Sequence, residues 1–445
     1  MLNYVWLGLI VFAVVIGGWE GHLKEVADQS FEMTEYAVIK TAFPLIGIMA
    51  FWLGLMRLAE RSGLVSLLAR VLRPVLCWLF PDVPADHPAM GSMVMNISAN
   101  MLGLGNAATP LGLRAMKDLE SLNPRPGTAT NAMCTFLAIN TSSVQIVPVT
   151  AMAILAANNS TNPSAIVGTA LIATACACSS GVLTARFLSR LPFFKLPALP
   201  APVVATSVNQ PAATTEKSPL EESADLKPLR WWGSVILAAF FLFFAWLFLH
   251  LVFATPTAGS AHVTSPFIRM VDAISKLLIP FLIAVFPLYA VLRGIKVYEE
   301  FVDGAKEGFD VAIRIIPYLV AMLGAIGVFR AAGGIDLLSQ WLSPVLHWIG
   351  FPTELLPMVL MRPLSGSGTL GMFTELVKQF GPDSLIARTA GTIYGSTETT
   401  FYVLAVYFGS VAVKRTRYAP IAGLTADAVG VIVSILLCRA VFGLS

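Results

Sequence analysis

Charge is scarce in this chain. Only 12% of its 445 residues are Asp, Glu, Lys or Arg, roughly half the share in an ordinary soluble domain. Hydrophobic residues supply 56%. A soluble fold cannot hide that much apolar surface, so lipid is the expected solvent. The net charge of +3 is small, and the basic residues sit at the ends of apolar runs instead of on one face. That distribution excludes nucleic acid as a partner.

Metal-ligating residues are also few. Cys77, Cys134, Cys176, Cys178 and Cys438 lie mostly inside apolar stretches. Cys176 and Cys178 are too close for a usual zinc knuckle and have no His beside them. A buried free cysteine packs as a small hydrophobe. His22, His87, His250, His262 and His347 are dispersed. No metal and no cofactor is expected. A Walker motif, a His-Glu-x-x-His motif and a Ser-His-Asp set are all lacking, so no catalytic residue is assigned and no enzyme is expected. The first 18 residues are apolar but lack a basic start and a small-residue cleavage site before Glu20. They read as a retained span and not as a signal peptide.

Long apolar runs are what the chain has. Nine have the length and composition to span a bilayer: 2–18, 38–56, 129–157, 164–187, 231–254, 267–292, 312–329, 385–413 and 420–441. They predict an all-α polytopic membrane protein with about nine transmembrane helices. Two further stretches, 90–113 (MGSMVMNISANMLGLGNAATPLGL) and 355–373 (LLPMVLMRPLSGSGTLGMF), are broken by Gly, Pro and polar groups. Such backbone is tolerated at membrane depth only inside protein or beside water, so both read as re-entrant or interrupted segments, with a kinked helix as the alternative. Segments 62–80 and 334–349 read as amphipathic and interfacial. The stretch 197–228 is rich in Pro, Ala, Ser and Thr without apolar periodicity, as in a flexible linker.

Basic residues set an orientation. With the N-terminus in the cytoplasm, Arg57, Arg61, Arg70, Arg73, Arg114, Lys117, Arg125, Arg186, Arg190, Lys195, Arg293, Lys296, Lys414, Arg415 and Arg417 all fall on the cytoplasmic side. The opposite connections 158–163 and 255–266 contain no Lys or Arg. The positive-inside rule then puts the linker in the cytoplasm of a bacterial inner membrane and the C-terminus outside.

The halves resemble each other. AFPLIGIMAFWLGLMR answers to RIIPYLVAMLGAIGVFR, LLARVLRPVLCWLFP to LLSQWLSPVLHWIGFP, GLGNAATPLGLRAMKDLESL to PLSGSGTLGMFTELVKQFG, and FLAINTSSVQIVPV to TIYGSTETTFYVLA. Five spans precede the second set, an odd number, so it enters from the other face. The expected organisation is a module at 1–195, a linker at 196–229 and a second module at 230–445, with two inverted-topology repeats. That architecture puts transporter sites near the midplane, although a duplicated scaffold would share it.

Polar groups within apolar runs are costly unless partnered, which marks them for function. Asn96, Asn100, Asn106 and Thr109 line the first broken segment and suit hydroxyl- or amide-bearing solutes, or interhelical hydrogen bonds. Asn140, Thr141, Ser142, Ser143 and Gln145 read as mid-span. Arg362, Ser365, Ser367 and Thr369 sit in the second broken segment, where Arg362 could hold an anion or reach to the interface. Ser396, Thr397, Glu398, Thr399 and Thr400 are the counterparts of the Asn140 cluster. Glu398 stands out: it is neutral, paired with Arg388 or Arg362, or the group that couples an ion. Asp427 in the last run is a second ion-coupling candidate.

The motifs also carry a family resemblance. FWLGLMRLAERSGL, LFPDVPADHPAMG, NMLGLGNAATPLGLRAMKDLESLN and TFLAINTSS resemble the spore maturation protein A family. FVDGAKEGFDVAIRIIPYLVAMLGAIGVFRAAGGIDLL, LMRPLSGSGTLGM, FGPDS, YGSTETTFYVLAVYFGS and GLTADAVG resemble spore maturation protein B. The resemblance implies a fusion of two usually separate proteins, both with the Gate, or nucleoside recognition, domain. It also implies membrane transport or a role in spore and cell-wall maturation. The expected partners are therefore the bilayer and a small polar solute, nucleoside-like or ionic, with a homo-oligomer left open. A non-transporting scaffold of envelope assembly is the alternative. An intramembrane enzyme using Glu398 and Asp427 as acid and base ranks last, since nothing supplies a nucleophile or metal.

Overall fold

The computed structural model describes residues 2–103, 105–194, 228–253, 266–334, 337 and 351–443. The linker at 197–228 lies outside the described residues except for Pro228, and the segment 334–349 lies outside them except for Gly334 and Leu337. Among the described residues there is no strand, only one isolated bridge between Thr128 and Arg415. The protein is helical and membrane-embedded.

Helix α1 spans Leu2–Glu20. Helix α2 (Leu23–Glu35) runs through a π-segment, Tyr36–Ala42, into α3 (Phe43–Arg61). Pro44 explains the widened turn, because it has no N–H and its ring clashes with the carbonyl four residues back. Helix α4 is Leu64–Leu79. Helices α5 (Pro88–Met101) and α6 (Gly105–Ser121) form a hairpin. Then follow α7 (Asn131–Ser142), α8 (Val149–Ala157) and α9 (Ile166–Arg190). After the linker come α10 (Trp231–Phe253), α11 (Pro266–Leu292) and α12 (Val297–Ala331). The hairpin α13 (Leu356–Met361) and α14 (Gly366–Phe380) precedes α15 (Leu385–Ser396), α16 (Thr400–Ser410) and α17 (Ala419–Phe442).

Five helices among the described residues are long and apolar enough to cross a membrane: Leu23–Arg61, Pro163–Arg190, Trp231–Phe253, Pro266–Leu292 and Ala419–Phe442. Two of the nine runs are not continuous helices. The run 129–157 divides into α7 and α8, and 385–413 into α15 and α16. Pro148 caps α8 and Ser143 adopts a left-handed φ of 38°, which together end α7. The run 312–329 is the second half of the 35-residue α12. The amphipathic segment became α4: Val65, Ala69 and Leu76 are buried, while Leu67, Val71, Val75 and Trp78 form an exposed apolar stripe.

Among the described residues, helix pairs α3–α12 and α9–α17 have the most extensive contacts. In the first pair, Gly304 and Gly308 are one turn apart on α12. A Cβ on Gly308 would lie 2.4 Å from Ala50 Cα. Lipid gives helices no hydrophobic reason to associate, so such close backbone packing is what holds them.

The two ends of α9 carry different contacts. At its N-terminal end, Asp383 accepts from Ser160 Oγ at 2.7 Å, Thr161 N at 2.9 Å and Thr161 Oγ1 at 2.8 Å. At its C-terminal end, Arg417 donates to Phe194 O at 2.6 Å and Ala129 O at 3.1 Å, and Arg415 N to Gly127 O at 3.0 Å. At 1.5 Å rise per residue, 25 helical residues put about 37 Å between these clusters.

Candidate functional site

Two unwound segments meet inside the bundle. The first, residues 143–148, joins α7 to α8, and the second, residues 397–399, joins α15 to α16. Glu398 N donates to Thr141 O at 2.6 Å across them. Backbone released from a helix at this depth needs a protein partner, since lipid offers none. The first break finds several. Thr174 Oγ1 on α9 donates to Ser142 O at 2.7 Å and to Ser143 O at 3.2 Å. Ile146 N donates to Met101 O at the tip of the α5–α6 hairpin, at 2.9 Å. The second break is held by the other hairpin: Phe401 N donates to Pro363 O at 3.0 Å. Each hairpin tip therefore grips the neighbouring break, and the breaks grip each other.

Arg362 is 3% exposed. Its Nη2 donates to Tyr394 O at 3.0 Å and its Nε to Thr397 Oγ1 at 3.3 Å, and the guanidinium stacks over the Tyr394 ring at 4.9 Å. It thus caps the C-terminal end of α15, where the helix dipole favours a cation. No carboxylate lies within 4 Å of it among the described residues.

Glu398 is half-buried, and its Oε1 accepts from Ser143 Oγ at 3.5 Å. Of the alternatives for Glu398, pairing with Arg388 is not formed: Arg388 donates instead to Asp383 at 3.4 Å. Arg388 lies in the first turn of α15, and Glu398, ten positions later, lies just beyond its C-terminal end. Asp427, 5% exposed, accepts from Thr400 Oγ1 at 2.6 Å.

The amides form one network. Asn140 Oδ1 accepts from Asn100 Nδ2 at 2.9 Å and from Tyr407 OH at 3.3 Å, and Asn140 Nδ2 donates to Phe136 O at 2.9 Å. Asn96 Nδ2 donates to Ala108 O at 2.7 Å and to Tyr407 OH at 3.4 Å. Asn96 Oδ1 is buried without a partner. Tyr407 links these amides and stacks on Phe136 at 6.1 Å. The sequence reading missed it, because a lone Tyr in an apolar run looks like packing.

Other expected residues spend their hydroxyls locally. Thr141 and Ser142 bond back to α7 carbonyls, and Ser396 to Ile393 O. Ser365 caps α14 by accepting from Gly368 N at 3.0 Å. It lies 3.3 Å from Ser367, and Thr369 bonds to Ser365 O. Thr399 Oγ1 lies against Gly366. Gln145 and Thr109 are half-buried on the first break and on α6. The side chain of Asn106 lies outside the described residues.

At the centre Asn140, Thr141, Ser142, Ser396, Thr397 and Thr400 are all buried. A cleft of about 430 Å³ opens at the N-terminal end of α7, lined by Asp82, Arg125, Asn131 and Arg417. A second cavity of about 280 Å³ lies beside Arg330 and Glu375, at the far end of α12.

Residues 42–158 and 312–414 match the family model described as Gate, nucleoside recognition. Spore maturation protein B of Bacillus subtilis (strain 168) is 46% identical over 175 residues, which are 39% of this chain and 98% of that protein. Spore maturation protein A of the same strain is 41% identical over 187 residues, 42% of this chain and 95% of that protein. Among solved structures, the YdaH transporter of Alcanivorax borkumensis is matched over 99% of this chain and 98% of its own, at 15% identity and a TM-score of 0.36.

Proposed function

Because the chain belongs to the spore maturation protein A and spore maturation protein B families, each covering about 40% of it as in a fusion, we propose that it is a transporter that moves a small polar solute or ion across the bacterial cytoplasmic membrane, in the service of spore or envelope maturation. The observation that carries this reading is the bond between the two breaks at Glu398 N and Thr141 O. Unwound backbone of this kind serves transporters, where helix ends and released backbone groups recognise solutes and ions.

The order of elements supports two inverted repeats. A hairpin, a broken helix and a long helix occur as α5–α6, α7–α8 and α9, and again as α13–α14, α15–α16 and α17. The clustering of Arg415 and Arg417 with Gly127, Ala129 and Phe194 gathers the basic loops at one end, as a cytoplasmic face requires. The basic-free connection around Ser160 lies at the other. In this reading the site comprises Asn140, Asn100, Glu398 and Arg362, closed in the present conformation, and the cleft at the base of α7 is its cytoplasmic approach. The solute class is polar and nucleoside-like, in line with the Gate family description.

Uptake by proteoliposomes tests the proposal. Vesicles holding the purified chain should accumulate a labelled solute, chosen by screening nucleosides, sugars, amino acids and wall precursors for thermal stabilisation of the protein. Glu398→Gln should abolish uptake without unfolding the protein. If that variant transports normally, Glu398 is not the coupling group. If no solute both binds and moves, the scaffold reading takes over.

A further inference from the structure

Asp427 Oδ1 is buried and has no hydrogen-bond partner, although Oδ2 is held by Thr400 Oγ1 at 2.6 Å. A carboxylate oxygen left unpaired at this depth is costly, so a ligand for it is worth seeking. Gly423 stands one turn earlier on the same face of α17. A Cβ on Gly423 would lie 3.4 Å from Thr141 Oγ1, 3.4 Å from Thr400 Oγ1 and 2.7 Å from Thr400 Cγ2. Only glycine lets α17 come this close to Thr400 at the second break. Its absence of a side chain lets Thr141 Oγ1, from the end of α7, and Thr400 Oγ1, from the start of α16, face the same point of α17, and Thr400 Oγ1 bonds Asp427 Oδ2 at 2.6 Å.

The chemistry of these oxygens is uniform. Thr400 gives its proton to Asp427. Thr141 gives its proton to Ala138 O or Leu137 O, at 3.0 and 3.1 Å. Both hydroxyls keep free lone pairs and have no proton left to donate. With Asp427 Oδ1 they make three acceptors from three chain segments, which suits a hard cation.

Charge selects its valence. Arg362 and Glu398 both lie within electrostatic range of Asp427, and their opposite charges offset one another. A single carboxylate, that of Asp427, faces the two hydroxyls, and one positive charge balances it. Calcium sites usually gather several carboxylates and six to eight oxygens. Among the described residues no group of three His, Cys, Asp or Glu side chains stands close enough to hold a metal.

We infer that a monovalent metal cation, sodium, binds between Asp427 Oδ1, Thr400 Oγ1 and Thr141 Oγ1. Thr141 lies at the first break, Thr400 at the second and Asp427 on α17, so the ion ties both halves together. This deepens the transport reading by naming the coupling ion, but sodium binding itself stands apart from uptake.

The test uses the full chain in nanodiscs. Equilibrium binding of ²²Na⁺ is measured alongside thermal unfolding in sodium chloride and in choline chloride at equal ionic strength. The expected result is saturable binding of one ²²Na⁺ per chain, and a melting temperature that rises with sodium but not with choline. Asp427→Asn and Thr400→Val should each weaken binding at least tenfold, and Thr400→Ser should restore it. If Asp427→Asn does not fold, the two Thr400 variants decide. Absence of saturable binding in the native chain, or unchanged affinity in Thr400→Val, overturns the inference. Sodium binding without uptake of any solute leaves it standing and removes the transport reading. Uptake driven by protons, with no sodium bound, does the reverse.

Discussion

Glu398 N and Thr141 O, from opposite halves of the chain, are joined by a hydrogen bond of 2.6 Å. The bond is made by backbone, so the side chain at 398 can be varied without touching it, and proline removes it. Thr397 is extended at φ −143° and ψ 167°, which a following proline accepts. Glu398→Pro should be less stable than Glu398→Gln by about 1–3 kcal/mol, the cost of a buried carbonyl left unpaired. Thermal or denaturant unfolding in detergent checks the difference, and equal stabilities would mean the bond contributes nothing.

Asn140 holds Asn100 and Tyr407 at once. Asn140→Ala strands both partners and should cost about 1–3 kcal/mol. Tyr407→Phe removes only one hydroxyl and should cost less. A double-mutant cycle on the two positions should give a coupling well above experimental error, as contacting residues do. Strict additivity would contradict the network.

Gly308 and Gly324 lie on the same helix, α12, in opposite circumstances. A Cβ at 308 meets Ala50 Cα at 2.4 Å, whereas one at 324 meets nothing within 4 Å. Gly308→Ala should destabilise by about 1–3 kcal/mol through overpacking. Gly324→Ala should be neutral, or stabilising by up to about 1 kcal/mol from helix propensity. Melting temperatures of the two purified variants give the comparison directly.

Asp383 offers a pH dependence outside the membrane spans. Burial works to raise its pKa, but hydrogen bonds from Thr161 N, Ser160, Thr161 Oγ1 and Arg388 outweigh it and hold the carboxyl at about 2, below its ordinary 3.8. A depressed folded-state pKa contributes stability above the unfolded value and loses it as pH falls through the folded one. Asp383→Asn should therefore lower the melting temperature at pH 7, and the gap from the native chain should close between about pH 4 and pH 2. A gap that stays constant over that range would show that the charge is not the source.

Orientation is open to a reporter. On the proposed topology, with the basic loops in the cytoplasm, a periplasmic phosphatase fused after Ser445 should be active and one fused within the linker silent. The reverse pattern would invert the proposed topology.

Some of this was legible from residue order alone. Composition required lipid, because 56% hydrophobic content leaves no soluble alternative. Gly and Pro at 103–110 and 363–368 marked both hairpins, since neither residue sustains a helix ladder. The paired motifs brought Asn140 and Ser396, Thr141 and Thr397, into correspondence before any contact was known. Glu398 and Asp427 were conspicuous as carboxylates in apolar runs.

The breaks themselves were not legible. The run 385–413 has no Pro between Ser396 and Thr400, and Gly395 with the Thr-rich stretch after it only weakens α15 there without ending it. It stops because partners elsewhere satisfy the freed backbone: Thr141 O for Glu398 N, Pro363 O for Phe401 N, and Arg362 for Tyr394 O. The same holds for side chains whose roles depend on distant partners. Arg388 turned to Asp383 and not to Glu398, and Tyr407 joined the amides from 267 residues beyond Asn140. The sequence by itself determined the solvent, the family and which polar groups had to be accounted for, because those follow from composition and local pattern. Which polar group meets which, and where each helix can afford to break, was decided by tertiary structure, because a hydrogen bond at membrane depth depends on what the rest of the chain brings to it.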